Sequence, residues 1–348
     1  MIKGRKHSEN IIRPRQEYDT RLNKIRLGMN ERYPSMPVEL FNEIMGGYTI
    51  EEASAYPEMK PVYDALSGYI GQPSSRILLS SGADIAIKTV LESICEKGYR
   101  LLSCYPTYVM YKVYAKMLGC TLRGIQPDTD GNYNIDELIS QAKQDIDVVI
   151  LANPNGISGF FFSLEEIKKL LSALPDVPII IDEAYADFAG IDAAPLLDEY
   201  SNLIIIRSFS KNVGFTGFQI GYILAQEQVI SFIEKFKPTI ELNSLAARAV
   251  KVMCSKPGLL KKLVRETVRV RKYFSKELRK LKYKVIEKGG NFVLVDFGEK
   301  SDDIKDALLS ANIEFKAVAA PFDGQVRLTI GDKATMDFVL KVIMSVVV

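Results

Sequence analysis

Short apolar runs that alternate with longer amphipathic stretches constrain the fold of this chain more than any other feature. Most of the runs are rich in isoleucine, leucine and valine and lack a polar residue at every second position, which is typical of strands buried on both faces. Strand, helix and strand at this spacing predict βαβ units and a parallel sheet with helices on both faces. The runs are RILLS (76–80), RLLSC (100–104), DVVILA (147–152), VPIIID (177–182), NLIIIR (202–207) and IGYIL (220–224).

The stretches between the runs carry helix signals, and the pattern changes late in the chain. Residues 82–97 have apolar side chains at i, i+3 and i+4, and residues 163–174 open with the capping-box pair Ser163 and Glu166. After about residue 237, strands and helices follow one another in an α+β order. We therefore predict a three-layer αβα large domain with a mostly parallel sheet and a smaller α+β domain. The predicted units are an N-terminal arm (1–35), the large domain (36–236) and the small domain (237–348).

Composition and charge argue against several classes of function. The 45 Lys and Arg against 43 Asp and Glu give a net charge of +2, which offers no case for nucleic acid or an anionic membrane as partner. The single histidine, His7, argues against a Ser-His-Asp triad and against a metal site. The chain has no run of 18 apolar residues and no apolar leader, so we expect no membrane span and no signal peptide. Four cysteines without a C-x-x-C pair predict a cytoplasmic protein.

Polar side chains follow three of the predicted strands at their carboxyl ends, where open α/β sheets bind ligands. Asn153, Asp182 and Lys211 occupy these positions, about one βαβ unit apart. Each alone could be a turn cap, a helix cap or a surface charge. Together they place a hydrogen-bond donor, a carboxylate and an amine at one rim. A pyridine-ring cofactor needs such a set, because a lysine binds it covalently, a carboxylate keeps its ring nitrogen protonated and donors bind its phenolic oxygen.

The ordered motifs of the chain resemble fold-type-I pyridoxal-phosphate enzymes of the class I/II aminotransferase superfamily, and they are most similar to the histidinol-phosphate aminotransferase branch. The resemblance implies an aspartate-aminotransferase-like fold, pyridoxal 5'-phosphate as cofactor, a homodimer, and amino transfer between a small amine or amino acid and a 2-oxo acid. The motifs are GMNERYP (28–34), AYPEMKPVYDAL, SSGADIAIK, YPTYVMY, NPNGISG, IIIDEAYADF, SFSKNVGFTGFQIGY, GGNFVL and VRLTIGD.

The resemblance also implies roles for individual residues. Lys211 resembles the lysine that binds the cofactor, and Asp182 the partner of the pyridine nitrogen. Tyr185 and Asn153 resemble the pair that bonds to the phenolic oxygen, and Tyr108 the ring that stacks on the cofactor. The residues resembling the phosphate cup are Ala83, Asp84, Ser208 and Ser210, with Tyr56 from the neighbouring subunit. Those on the substrate side are Arg327, which would bind the substrate carboxylate, and Asn30 in a covering arm.

Three positions depart from the family pattern. The arginine usually found eight residues past the lysine is Gln219, so the cofactor phosphate would lose a cation. The family's NNPTG loop is here NGISG (155–159), and an arginine frequent in the late small-domain strand is Lys316. Arg13, Arg15 and Lys316 could bind an anionic substrate group, although the two arginines could equally be surface charges. Decarboxylation of a phosphorylated amino acid remains an alternative reaction, and cofactor binding without turnover a third.

Overall fold

The six predicted strands and one further strand form a seven-stranded sheet in the computed structural model, which describes residues 11–12 and 21–346. The strands of the chain are β1 (Ile25–Arg26), β2 (Ile77–Ser80), β3 (Arg100–Cys104), β4 (Thr121–Ile125), β5 (Val148–Ala152), β6 (Ile179–Asp182), β7 (Leu203–Ser208), β8 (Gly221–Leu224), β9 (Lys284–Ile286), β10 (Phe292–Asp296), β11 (Ile313–Glu314), β12 (Lys316–Ala317) and β13 (Val326–Thr329).

Helices fill the connections between these strands. They are α1 (Val38–Gly46), α2 (Ile50–Ser54), α3 (Met59–Ile70), α4 (Gly82–Ile94), α5 (Val109–Met117), α6 (Ile135–Ala142), α7 (Leu164–Ala173), α8 (Ala186–Ala189), α9 (Glu227–Ile233), α10 (Ser244–Cys254), α11 (Pro257–Lys280), α12 (Ser301–Ser310) and α13 (Lys333–Met344). The predicted capping box opens α7, where the Ser163 hydroxyl accepts from the Glu166 N–H at 3.2 Å and Glu166 accepts from the Ser163 N–H at 2.8 Å. In the described part of the chain, no helix is both long and apolar enough to cross a membrane.

The seven strands lie in the order β2-β8-β7-β6-β5-β3-β4. Only β8 runs antiparallel to its neighbours, so the sheet is mostly parallel, as predicted. The register sets Ala152, Asp182 and Ile206 side by side at the ends of β5, β6 and β7. The loops that follow these three strands therefore leave the sheet at one edge.

Both faces of this sheet are buried, which explains the continuous apolar runs. Ile179 and Ile181 of β6 lie in the cluster on one face, and Ile180 lies in the cluster on the other. Fully burying such a side chain contributes about 1.5–3 kcal/mol. The sequence did not predict β4, which lies at the sheet edge with Thr121 and Arg123 exposed and therefore has no apolar run.

A second, antiparallel sheet has the order β12-β13-β10-β9 and packs with α11, α12 and α13 around its own core. The chain near its start joins this unit, because β1 pairs with β11 and Leu27 is buried in the same core. Helix α10 packs instead in the core of the large sheet, where Ala246 and Val250 are fully buried. The domain limits at 36 and 237 stay a prediction.

Candidate active site

Asp182 lies buried at the carboxyl end of β6 and is 6% exposed. One carboxylate oxygen accepts from the Tyr111 hydroxyl at 2.7 Å and the other from the Ala184 N–H at 3.1 Å. Burial raises the pKa of Asp182, while these two hydrogen bonds and the charge of Lys211 lower it. A buried carboxylate without a close ion-pair partner is costly, so this position favours a ligand that brings a protonated nitrogen.

Tyrosines of α5 and of the residue before it connect Asp182 to the start of α4. The Tyr108 ring packs edge-on against Tyr111 with the centroids 5.7 Å apart. Asp84 accepts from the Tyr108 hydroxyl at 3.1 Å and from the Tyr114 hydroxyl at 2.7 Å. The Tyr108 ring is 41% exposed, which leaves a face for the predicted stacking on a planar ligand.

The turn after β7 carries Lys211, whose ammonium donates to the Met29 carbonyl at 3.2 Å. Earlier in this turn, the Ser208 hydroxyl donates to the Ile220 carbonyl at 3.2 Å and accepts from the Ser210 N–H at 3.1 Å. The Ser208 hydroxyl thus already stabilises the turn. The phosphate role of Ser208 and Ser210 stays a prediction.

The start of α4 lies against the strand that follows this turn. A Cβ on Gly221 would be 2.6 Å from the Ala83 nitrogen, so only glycine permits this approach. The Gln219 amide oxygen lies 3.1 Å from where a Cβ on Gly82 would be, and its nitrogen donates to the Thr216 carbonyl at 2.6 Å. Gln219 therefore sits beside the start of α4, whose N–H groups would bind a phosphate, but it adds no charge there. Its role at the phosphate stays a prediction.

Four consecutive carbonyls of the segment 27–30 bind side chains of the site. Each carbonyl accepts from one side chain of the loop or sheet below it, so the segment is fixed over the site. The donors are Thr329 to Leu27 at 2.8 Å, Arg327 to Gly28 at 2.9 Å, Lys211 to Met29 at 3.2 Å and Asn291 to Asn30 at 2.9 Å. Sequence reasoning missed Thr329 and Asn291, although both lie in quoted motifs.

Arg327 is a buried guanidinium without a carboxylate partner among the described residues. It donates to the Gly156 carbonyl at 2.6 Å and lies over the Phe292 ring at 5.4 Å, while its Nε has no partner. Burial lowers its pKa. Lys316 is exposed and directly opposite Arg327 on the neighbouring strand, so both side chains leave the same face of the sheet. Two cations on one face favour an anionic ligand.

Asn153 follows β5 and lies beside Asp182, since its N–H donates to the Asp182 carbonyl at 2.9 Å, but its side-chain amide is already hydrogen-bonded within its own loop. The Asn153 amide donates to the Phe162 carbonyl at 3.2 Å and accepts from the Phe162 N–H at 2.7 Å, so it holds its own loop closed. Its predicted bond to the cofactor stays a prediction. Tyr56 is 86% exposed, so the side chains of its own chain leave most of it uncovered. Arg13 and Arg15 lie outside the described residues.

The arrangement fits the pyridine cofactor that the sequence predicts. Asp182, a buried carboxylate whose pKa is raised, would hold a protonated ring nitrogen. The Lys211 amine, in the turn after the neighbouring strand β7, would bind the cofactor covalently, and the exposed Tyr108 ring would stack on it. The helix N-terminus at Gly82 and Ala83 would hold the phosphate. This donor set supports a cofactor role for Asp182, Lys211 and Tyr108.

Comparisons with known proteins agree with this chemistry. The model of the family described as aminotransferase class I and II matches residues 52–343. A histidinol-phosphate aminotransferase of Thermococcus kodakarensis is 30% identical over 310 residues, which cover 88% of each chain. The solved histidinol-phosphate aminotransferase from Sinorhizobium meliloti, in complex with pyridoxal-5'-phosphate, has a TM-score of 0.84 at 21% identity over 93% of this chain and 90% of that one. The L-threonine-O-3-phosphate decarboxylase from Porphyromonas gingivalis has a TM-score of 0.79 at 21% identity over 93% and 99%.

The two solved structures confirm the expected fold, and the family match decides the class of protein. The match covers most of the chain, and the Thermococcus relative confirms the resemblance to the histidinol-phosphate branch. The chain belongs to the class I and II aminotransferase family and is a pyridoxal-phosphate-dependent transaminase.

Proposed function

We propose that this chain moves an amino group between a small phosphorylated amine or amino acid and a 2-oxo acid, with histidinol phosphate as the amino donor. The observation that carries the proposal is the Arg327 guanidinium, which has no carboxylate partner among the described residues and whose Nε makes no hydrogen bond, with Lys316 on the same face of the sheet. Arg327 would bind the carboxylate of the 2-oxo acid, because a guanidinium offers two parallel donors. Lys316 would bind the phosphate. The name of the Thermococcus relative gives this donor as the first to test.

The residues of the site divide the work of amino transfer. Bound pyridoxal phosphate supplies a carbonyl that receives the amino group and a cationic ring that stabilises negative charge on the substrate carbon. Asp182 holds a proton at the ring nitrogen, and Tyr185 donates to the phenolic oxygen. The Lys211 amine binds the cofactor and then serves as the base that takes the proton from the substrate carbon. Asn30 and the segment 27–30 cover the site and limit the access of water.

Decarboxylation has less support than amino transfer. Relatives from Thermococcus kodakarensis and Clostridium novyi, 30% and 25% identical to this chain, are named histidinol-phosphate aminotransferases, whereas the solved decarboxylase shares the fold at 21% identity. Release of CO₂ from threonine phosphate without 2-oxo acid consumption would favour decarboxylation. A protein that binds the cofactor without turnover would convert none of the amino donors to product.

Steady-state kinetics of the holoenzyme test the proposed donor. Wild type should use histidinol phosphate with a kcat/KM about 10–100-fold above that for histidinol, the value of one charge-assisted contact. Lys316→Gln should remove most of this preference by raising KM for the phosphorylated donor only. Lys276→Gln, at an exposed position of α11, is the matched control and should leave kcat/KM unchanged for both donors. Equal use of both donors by wild type would contradict the proposed phosphate contact.

A homodimer completes the proposal. Tyr56 is 86% exposed, and Ile50, Val38 and Phe41 nearby in the chain are exposed as well, so α1, α2 and the following loop present an apolar surface. A second copy would cover it and bring Tyr56 to the phosphate of the partner site. The four unpaired cysteines suit the reducing cytosol, where we place the protein. Light scattering should give twice the 39.0 kDa chain mass, and a 39.0 kDa particle would contradict the dimer.

A further inference from the structure

The side chain of Asn30 lies between a backbone carbonyl and the hydroxyl of Tyr185. Its amide nitrogen is 3.3 Å from the Gly156 carbonyl oxygen and 3.0 Å from the Tyr185 hydroxyl oxygen. Asn30 is 1% exposed and has a φ of 54°, which is uncommon for a residue other than glycine. A buried residue in this backbone conformation is held there by its surroundings.

Two side chains of the small domain hold the backbone of Asn30. The Asn30 N–H donates to the Thr329 hydroxyl at 3.0 Å, and its carbonyl accepts from the Asn291 amide at 2.9 Å. Both backbone groups are therefore occupied. The side-chain amide is left to point toward Tyr185.

The direction of each hydrogen bond follows from chemistry. The Gly156 carbonyl can only accept, so the NH₂ group of Asn30, and not its oxygen, faces this carbonyl. The second hydrogen of the same nitrogen then points at the Tyr185 oxygen, which must accept it. The proton of the Tyr185 hydroxyl is consequently turned away from Asn30.

Gly156 leaves the space that makes this contact possible. A Cβ at this position would lie 3.3 Å from Cε2 and 3.6 Å from the hydroxyl oxygen of Tyr185, so a longer side chain there would compete for the hydroxyl. This loop is NGISG where the family has NNPTG, so the glycine stands in place of an asparagine. Among the described residues, Asn30 makes the hydrogen bond to the Tyr185 hydroxyl.

We propose that Asn30 is a positioning residue that sets the direction of the Tyr185 proton. By donating to the hydroxyl oxygen, it frees the proton for the phenolic oxygen of the cofactor. The inference rests on the proposed role of Tyr185. A hydrogen-bond donor to the phenolic oxygen of the cofactor stabilises the anionic form of that oxygen. It therefore lowers the pKa at which the absorbance of the bound cofactor changes. Loss of Asn30 should raise this pKa.

The test is a pH titration of the visible absorbance of the holoenzyme. Asn30→Gly suits the positive φ and removes the amide, and it should raise the pKa of the transition by about one unit. Tyr185→Phe should raise it at least as much. In the double variant, Asn30→Gly should add nothing, because its effect passes through the hydroxyl. Asn30→Asp should raise the pKa further than glycine does, since a carboxylate accepts the Tyr185 proton and adds a negative charge.

The outcomes separate the inference from the proposed function. An unchanged pKa in Asn30→Gly, or an equal rise with and without the Tyr185 hydroxyl, would overturn the positioning role. Asn291→Ala is a control, because it removes a contact to the Asn30 carbonyl but keeps the Asn30 side-chain amide. Its pKa shift should be less than half of that in Asn30→Gly. An equal shift would indicate a general loosening of the segment 27–30 instead. If no absorbance band depended on Lys211, the proposed cofactor site itself would be refuted.

Discussion

Replacing Lys211 by alanine is expected to lower the turnover rate by about 10⁴-fold or more, the upper end of what a general base alone contributes. The variant loses the base and also the amine that binds the cofactor. The fold should remain, because among the described residues the ammonium makes one hydrogen bond, to the Met29 carbonyl. Circular dichroism and thermal unfolding check the fold, and a coupled assay of 2-oxo acid consumption checks the rate.

Borohydride reduction of the holoenzyme provides an independent readout that does not depend on turnover. The reduced cofactor should add its mass to the peptide that contains Lys211, and Lys211→Ala should carry no label. Lys276→Ala, at an exposed position of α11, should be labelled and active like wild type. Labelling of another lysine in the wild type would show that the position after β7 does not bind the cofactor.

The large sheet could be predicted from the sequence because buried parallel strands leave continuous apolar runs. The same rule located Asp182 and Lys211, since strand ends of one parallel sheet meet at one edge. It failed for β4 at the sheet edge, whose first four residues alternate between exposed and half-buried positions. Edge strands carry less of the signal on which the rule depends.

Contacts between distant segments could not be predicted in this way. Asn30 and Tyr185 are 155 positions apart, and Asn30 and Thr329 are 299 apart. No local pattern reports such a pair, and the resemblance alone assigned Asn30 to the substrate side. The hydrogen bonds of the Asn153 side chain could not be predicted either, although their partner Phe162 is close in sequence. They depend on the path of the intervening loop.

Asp182→Asn is the substitution for which activity and stability should change in opposite directions. The rate should fall by roughly 10²–10³-fold, the range for losing one preorganised electrostatic contact at the reacting group. An amide cannot hold the proton on the ring nitrogen as a carboxylate does, so the ring would stabilise negative charge less well. Single-turnover measurements with a saturating amino donor separate this effect from weaker substrate binding.

The cofactor-free variant should at the same time unfold at a higher temperature than cofactor-free wild type. Burial raises the pKa of Asp182, so the charged carboxylate lowers stability at any pH above that raised value. Asparagine has no charge to bury, and its advantage should shrink as the pH falls through the raised pKa, where the wild-type carboxyl becomes protonated. Thermal unfolding at several pH values measures this difference.

Adding the cofactor should reverse the order of stabilities. Wild type gains an ion pair between Asp182 and the ring nitrogen, so its unfolding temperature should rise more than that of the asparagine variant. Asp198→Asn, which removes a surface carboxylate paired with Arg76, is a control that should leave both activity and the cofactor response unchanged. If Asp182 were only a structural residue, Asp182→Asn would lower the stability of the cofactor-free protein and leave the response to the cofactor intact.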